Sequence, residues 1–155
     1  MHTRSLRTPL LCAVALMSVA ACSGSHPAAE TAPAASTAAA RESNANGRSI
    51  FLSGKDLGGV QISARKPPLF RSCAACHRAD GSGGIHLPGG AVSADLRHAA
   101  LTTAQKKPYT VALLERAIST GIDNMGASLN PVMPRWQLSK RDLHAVAVYV
   151  FGNRK

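Results

Sequence analysis

Cys73-Ala74-Ala75-Cys76-His77 is the stretch of this chain whose residue types and spacing point to specific chemistry. Two thiols separated by two residues lie on one helical turn, where each can form a thioether with a vinyl group of a single haem. The adjacent imidazole of His77 is then held beneath the iron and supplies its proximal nitrogen. Covalent attachment ties cofactor to fold, so loss of the group no longer competes with function. A bare Cys-x-x-Cys has two other readings. It could be a thioredoxin-like redox pair, but no βαβ pattern surrounds it. It could be half of a zinc site, but no second cysteine pair exists. The following His77 and a helical context favour covalent haem.

Compartment and cysteine use agree with that chemistry. Arg4 and Arg7 precede a run from Pro9 to Ala21 that is almost wholly apolar or small. A basic start, a short apolar run and small residues before a break read as a secretory leader over residues 1–21. The apolar run is about 13 residues, short of the roughly 20 that span a bilayer. Val19-Ala20-Ala21-Cys22 resembles the lipobox of bacterial lipoproteins, which makes Cys22 the lipidation candidate and the mature N-terminus. Cleavage at a nearby Ala-x-Ala-like site by an ordinary signal peptidase is the alternative. The expected location is the periplasmic side of a bacterial membrane, lipid-anchored, or else soluble in the periplasm. Cys12 leaves with the leader, so Cys73 and Cys76 alone remain in the folded part and no disulfide framework is expected.

The whole chain carries a formal charge of +10. Starting at Cys22 it keeps 16 Lys and Arg against 8 Asp and Glu, a balance of +8. Such a surface steers encounter with acidic redox partners, although solubility beside a membrane explains it equally well. Nucleic acid is not an expected partner, because the chain is exported and its charges are scattered.

The elements that position the motif are helical. Residues 22–42 are rich in Ala, Pro, Ser and Thr with almost no large apolar side chain, and read as a flexible tether. Pro27 and Pro33 speak against an Ala-rich helix there. The folded domain is expected over residues 43–155. Ser43 or Asn44 can cap a first helix that carries Ile50, Phe51 and Leu52 and ends at Gly54. A Gly-rich loop with Pro67-Pro68 leads into the haem motif, and the segment from Gly81 to Gly90, with five Gly and one Pro, must be loop. A helix with Pro108 in its first turn runs to Gly121, a candidate left-handed cap. Ile122 to Leu138 reads as a long loop. Ser139 caps a last helix, with Asp142 in a capping-box position, and Leu143, Val146, Ala147, Val150 and Phe151 form its apolar stripe. The fold class is all-α, three to four helices with long loops wrapped around one cofactor. So small a core needs something to fill it.

Two motifs carry a family resemblance. The run from Cys73 through His77 to Asp80-Gly81-Ser82-Gly83-Gly84 resembles the Cys-x-x-Cys-His-x-x-Asp-Gly-x-Gly-Gly of small bacterial class I cytochromes c. Asn130-Pro131-Val132-Met133-Pro134-Arg135-Trp136, followed by Leu138-Ser139, resembles that family's sixth-ligand loop. The resemblance covers residues 43–153 and is weak between the motifs. It implies one covalent haem c, attached outside the cytoplasmic membrane through Cys73 and Cys76, with His77 as proximal and Met133 as distal iron ligand. It also places Gly47 and Phe51 where the first helix crosses the last, near Tyr149.

Other residues compete for the iron's far side. Met125 sits between glycines, and His86 or His98 would give bis-His ligation, whereas His144 reads as a surface histidine. Met133 lies 56 residues after His77 in a proline-bounded loop that can present its sulfur rigidly. Trp136 packs near the haem or fills core, and Arg135 pairs with a propionate or stays solvated. Leu69, Phe70, Leu87, Leu96, Leu101 and Leu114 are candidates for the pocket wall. Two axial ligands leave no open iron position, so the expected function is an electron carrier rather than an enzyme. A haem enzyme or gas sensor, and a fixed subunit of an oxidase or dehydrogenase, are the alternatives.

Overall fold

The longest element follows from alanine. In the computed structural model, which describes residues 32–152, helix α1 runs unbroken over Ala32–Ser53. Its first half is Ala-rich, and Ala has the best helix propensity of any residue. Pro33 falls in the first turn, where a missing N–H costs nothing because no acceptor precedes it. The expected tether over residues 22–42 is corrected accordingly. Residues 32–42 are helix, and the domain boundary expected at 43 falls inside α1. Residues 22–31 and the leader, with Cys22, lie outside the described residues. A segment poor in core-forming side chains can still be helical where its backbone propensity is high. Gly54 ends α1 as expected, with φ 72° and its N–H donating to the Ile50 carbonyl.

Helix α1 packs across the last helix, α5, over Lys140–Phe151. A Cβ on Gly47 would stand 2.1 Å from the Ala145 carbonyl oxygen, so only glycine lets the two backbones approach this closely. Phe51 and Tyr149 stack one turn further on, with ring centroids 5.6 Å apart. Asn46, 2% exposed, joins the same crossing by hydrogen bonds. It donates to Asp142 at 2.7 Å and accepts the Leu57 N–H at 2.9 Å. Ser139 caps α5 by accepting the Asp142 N–H at 3.1 Å, and its hydroxyl donates back to the Asp142 carboxylate at 2.7 Å.

The loops between these helices hold short elements. Strand β1, Ser63–Ala64, pairs antiparallel with β2, Trp136–Gln137, setting Ala64 opposite Trp136. This small ladder was not expected from the sequence, since neither segment alternates long enough to show a period. The single turn α2, Ala74–His77, carries the haem motif. A 3₁₀ turn at Pro88–Gly90 and a one-turn helix α3, His98–Leu101, follow. Helix α4 spans Val111–Thr120 and packs on α5. Its cap is Thr110, accepting the Leu113 N–H, so it starts later than the first turn expected at Pro108. Gly121 closes it in the left-handed conformation, φ 73°, as expected. Among the described residues, no helix is long and apolar enough to cross a membrane.

Candidate haem site

The motif turn presents its groups through backbone geometry alone. The N–H groups of Cys76 and His77 both donate to the Cys73 carbonyl, at 3.1 and 2.9 Å. That single turn places Cys73, Cys76 and His77 on the wall of one cavity. Both thiols are free. Burial pushes the Cys73 thiol up to about 12, and burial also raises Cys76. Before attachment they are therefore neutral thiols.

The glycine loop behind the motif explains itself at His77. Gly83 donates its N–H to the His77 carbonyl at 2.9 Å, and Gly84 donates to the Ser93 carbonyl at 2.9 Å. A Cβ on Gly83 would lie 2.3 Å from the Ala94 carbonyl oxygen, so the loop closes only with glycine there. This contact delivers the Ala94 oxygen to 2.8 Å from His77 Nδ1. A carbonyl only accepts, so Nδ1 carries the hydrogen and Nε2 keeps its lone pair for a metal. His77 is 8% exposed, and burial lowers its pKa, which keeps the ring neutral as a ligand must be.

The cavity has a volume of about 340 Å³ and a mostly apolar wall. Seven of the nine core side chains also line it, Phe51, Leu114, Trp136 and Val146 among them. Apolar side chains that face such a space lack packing partners on one side. The fold is therefore built around an apolar occupant. All six leucine and phenylalanine positions expected in the wall are in it. Leu69 and Phe70 also remain exposed, so they form the rim.

Met133 lines this same cavity, and its rivals do not. Met125 is 63% exposed on a turn. His86 is exposed. His98 stacks edge-on against Phe151 at 5.2 Å and places Nδ1 2.8 Å from the Phe151 carbonyl oxygen. His144 is a surface residue paired with Glu115 at 2.8 Å. The Met133 loop is a tight turn. Asn130 accepts the Val132 N–H with its side chain at 3.0 Å and the Met133 N–H with its carbonyl at 3.1 Å.

One pair of free thiols, a neutral imidazole and a thioether on one apolar cavity are the donor set that a covalent haem needs. The family model for cytochrome c matches residues 67–152, more than half of the 155-residue chain. The chain belongs to the cytochrome c family. As a cytochrome c it carries one haem c covalently and serves haem-based electron transfer. The all-α fold expected from the sequence agrees with the family, with five helices among the described residues. No curated protein and no solved structure matches the chain significantly. The matched region takes in both motif loops and leaves α1 outside it, although Phe51 of α1 supplies part of the cavity wall.

Some functional groups escaped the sequence reading. Tyr109 and the buried Asn124 add polar groups to the cavity wall. Asn124 donates its side-chain N–H to the Lys107 carbonyl. Burial pushes the pKa of the Tyr109 hydroxyl up. Neither residue sits in a motif, and loop composition alone carries no signal for them. Arg135 is half-exposed beside the cavity. Its guanidinium is taken up by three loop carbonyls, those of Leu129, Asn130 and Met133.

Proposed function

We propose that this cytochrome c is a single-electron carrier with a six-coordinate iron, His77 on one side and Met133 on the other. The observation that carries the reading is that His77 and Met133 share one cavity from which Met125, His86 and His98 are missing. Cys73 and Cys76 would hold the haem by thioethers. The bound group supplies one chemistry, exchange of one electron between ferric and ferrous iron with no bond made or broken. The chain's own residues do the rest. Ala94 fixes the ring of His77 and keeps its lone pair available. The neutral thioether of Met133 favours the ferrous state and raises the potential relative to bis-His ligation. The apolar wall excludes water from the iron. One electron arrives from a donor and one leaves to an acceptor, and the protein holds no reactant.

The ligand assignment is tested by Met133→Ala. The weak far-red absorption of a Met–ferric iron bond should vanish, the potential should fall, and the ferrous form should bind carbon monoxide. Retention of that band with an unchanged potential would exclude Met133. A high-spin ferric spectrum in the wild type would favour a gas-binding or enzymatic role instead.

The place of work follows from residues 1–22. A leader ending in a lipobox-like Val19-Ala20-Ala21-Cys22 supports a lipid-anchored protein on the periplasmic side of a bacterial membrane. Diacylation there suffices for stable anchoring. The positive balance of the chain favours acidic redox partners. Cys22→Ser should release the protein from membranes, and membrane retention of that variant would remove the lipid anchor from the reading.

A further inference from the structure

We propose that Arg135 is the positioning residue of the sixth-ligand loop, and that it sets how firmly the Met133 sulfur stays on the iron. The proposal rests on Met133 being the distal ligand. Arg135 donates from Nη1 to the Met133 carbonyl at 2.5 Å and to the Asn130 carbonyl at 3.3 Å. From Nη2 it donates to the Leu129 carbonyl at 2.8 Å. One planar guanidinium thus grips the turn on both sides of Pro131, including the residue that carries the ligand sulfur. Its fork geometry suits several oxygens at once, which a lysine cannot match.

The grip is anchored to the scaffold at two points. The Arg135 carbonyl accepts the Arg65 N–H at 3.0 Å, next to the β1–β2 ladder. Its guanidinium lies against the backbone of Gly121. A Cβ at Gly121 would stand 1.8 Å from Arg135 Nε, so the left-handed glycine that ends α4 also makes room for the clamp. Gly121 further accepts the Leu129 N–H at 2.8 Å. The loop is therefore tied to α4 and to the sheet, and its own turn hydrogen bonds are only part of its rigidity. Hydrogen bonds from a charged donor count roughly twice those between neutral groups. Their loss should shift the balance between Met-bound and Met-detached forms.

The test uses the intact haem protein with Arg135→Met and Arg135→Lys, alongside Met133→Ala. Arg135→Met should raise the Met-detached population by about tenfold or more. That appears as a weaker far-red band, loss of the band at lower pH, and a lower potential, with helix content by circular dichroism unchanged. Arg135→Lys should fall between wild type and Arg135→Met. If Arg135→Met does not fold, Arg135→Lys alone decides, by a shift in the same direction. Wild-type band, pH profile and potential in the folded Arg135 variants overturn the clamp while Met133→Ala still loses the band. A band that survives Met133→Ala overturns the ligand assignment itself, and the clamp with it.

Discussion

Arg78 follows the haem turn with φ 63° and ψ 163°, and among the described residues it is the one non-glycine with a positive φ. That region is populated almost only by glycine, and a side chain held there costs on the order of 1–3 kcal/mol. The strain is imposed from both sides. The turn must stop at His77, and the Gly81 N–H must reach back to the Arg78 carbonyl, which it does at 3.2 Å. Arg78→Gly relieves the strain while making the unfolded chain freer. The net expectation is a gain of about 1 kcal/mol, read as a higher denaturant midpoint with an unchanged spectrum. A lower midpoint would mean that the Arg78 side chain contributes more than its backbone costs. At the same scale His77 depends on Ala94, 17 residues further along the chain, a carbonyl that any residue could supply and that no motif marks.

At the scale of elements, the crossing of α1 and α5 is the joint on which one cavity wall hangs. Gly47 lets the helices touch, and Phe51, Val146 and Val150 then face the cavity from the two sides. Gly47→Ala would drive a methyl group into the Ala145 carbonyl and the Tyr149 Cβ, 2.8 Å away. Overpacking of this kind costs about 1–3 kcal/mol. The variant should unfold at lower denaturant than wild type, and an unchanged midpoint would show that the crossing yields easily. The gain in helix propensity from Gly to Ala, at most about 1 kcal/mol, opposes this but is the smaller effect. Residue patterns made much of this element level readable. Gly121, Ser139 and the α5 stripe stand where their residue types place them. The start of α1 does not, because composition alone cannot tell a solvated Ala-rich helix from a solvated coil.

For the whole molecule, core and cofactor pocket are nearly one object. With seven of nine core side chains on the cavity wall, an occupant would complete the packing of most of the core. Blocking attachment with Cys73→Ser and Cys76→Ser together should yield a protein that has lost near-ultraviolet circular dichroism and binds hydrophobic dyes. Its thermal transition should be broad or missing. A sharp transition near that of the holoprotein would show that α1, α4 and α5 form a sufficient core by themselves. An apolar wall left without packing partners on its inner side makes the first outcome the expected one.

The covalent chemistry was determined by the sequence alone. Two cysteines and a histidine within five residues define an attachment site whatever surrounds them, because neighbours in a single turn are held together by the backbone itself. The Gly121 cap that ends α4 and the Ser139 cap that begins α5 are local in the same sense. What only the tertiary structure decided involves partners far apart in the chain. Met133 reaches the cavity of His77 while Met125, His86 and His98 turn elsewhere. Arg135 serves the loop carbonyls of Leu129, Asn130 and Met133. These are choices among chemically similar candidates, and spacing cannot rank them, since their outcome depends on which backbones the packing brings within a few ångströms.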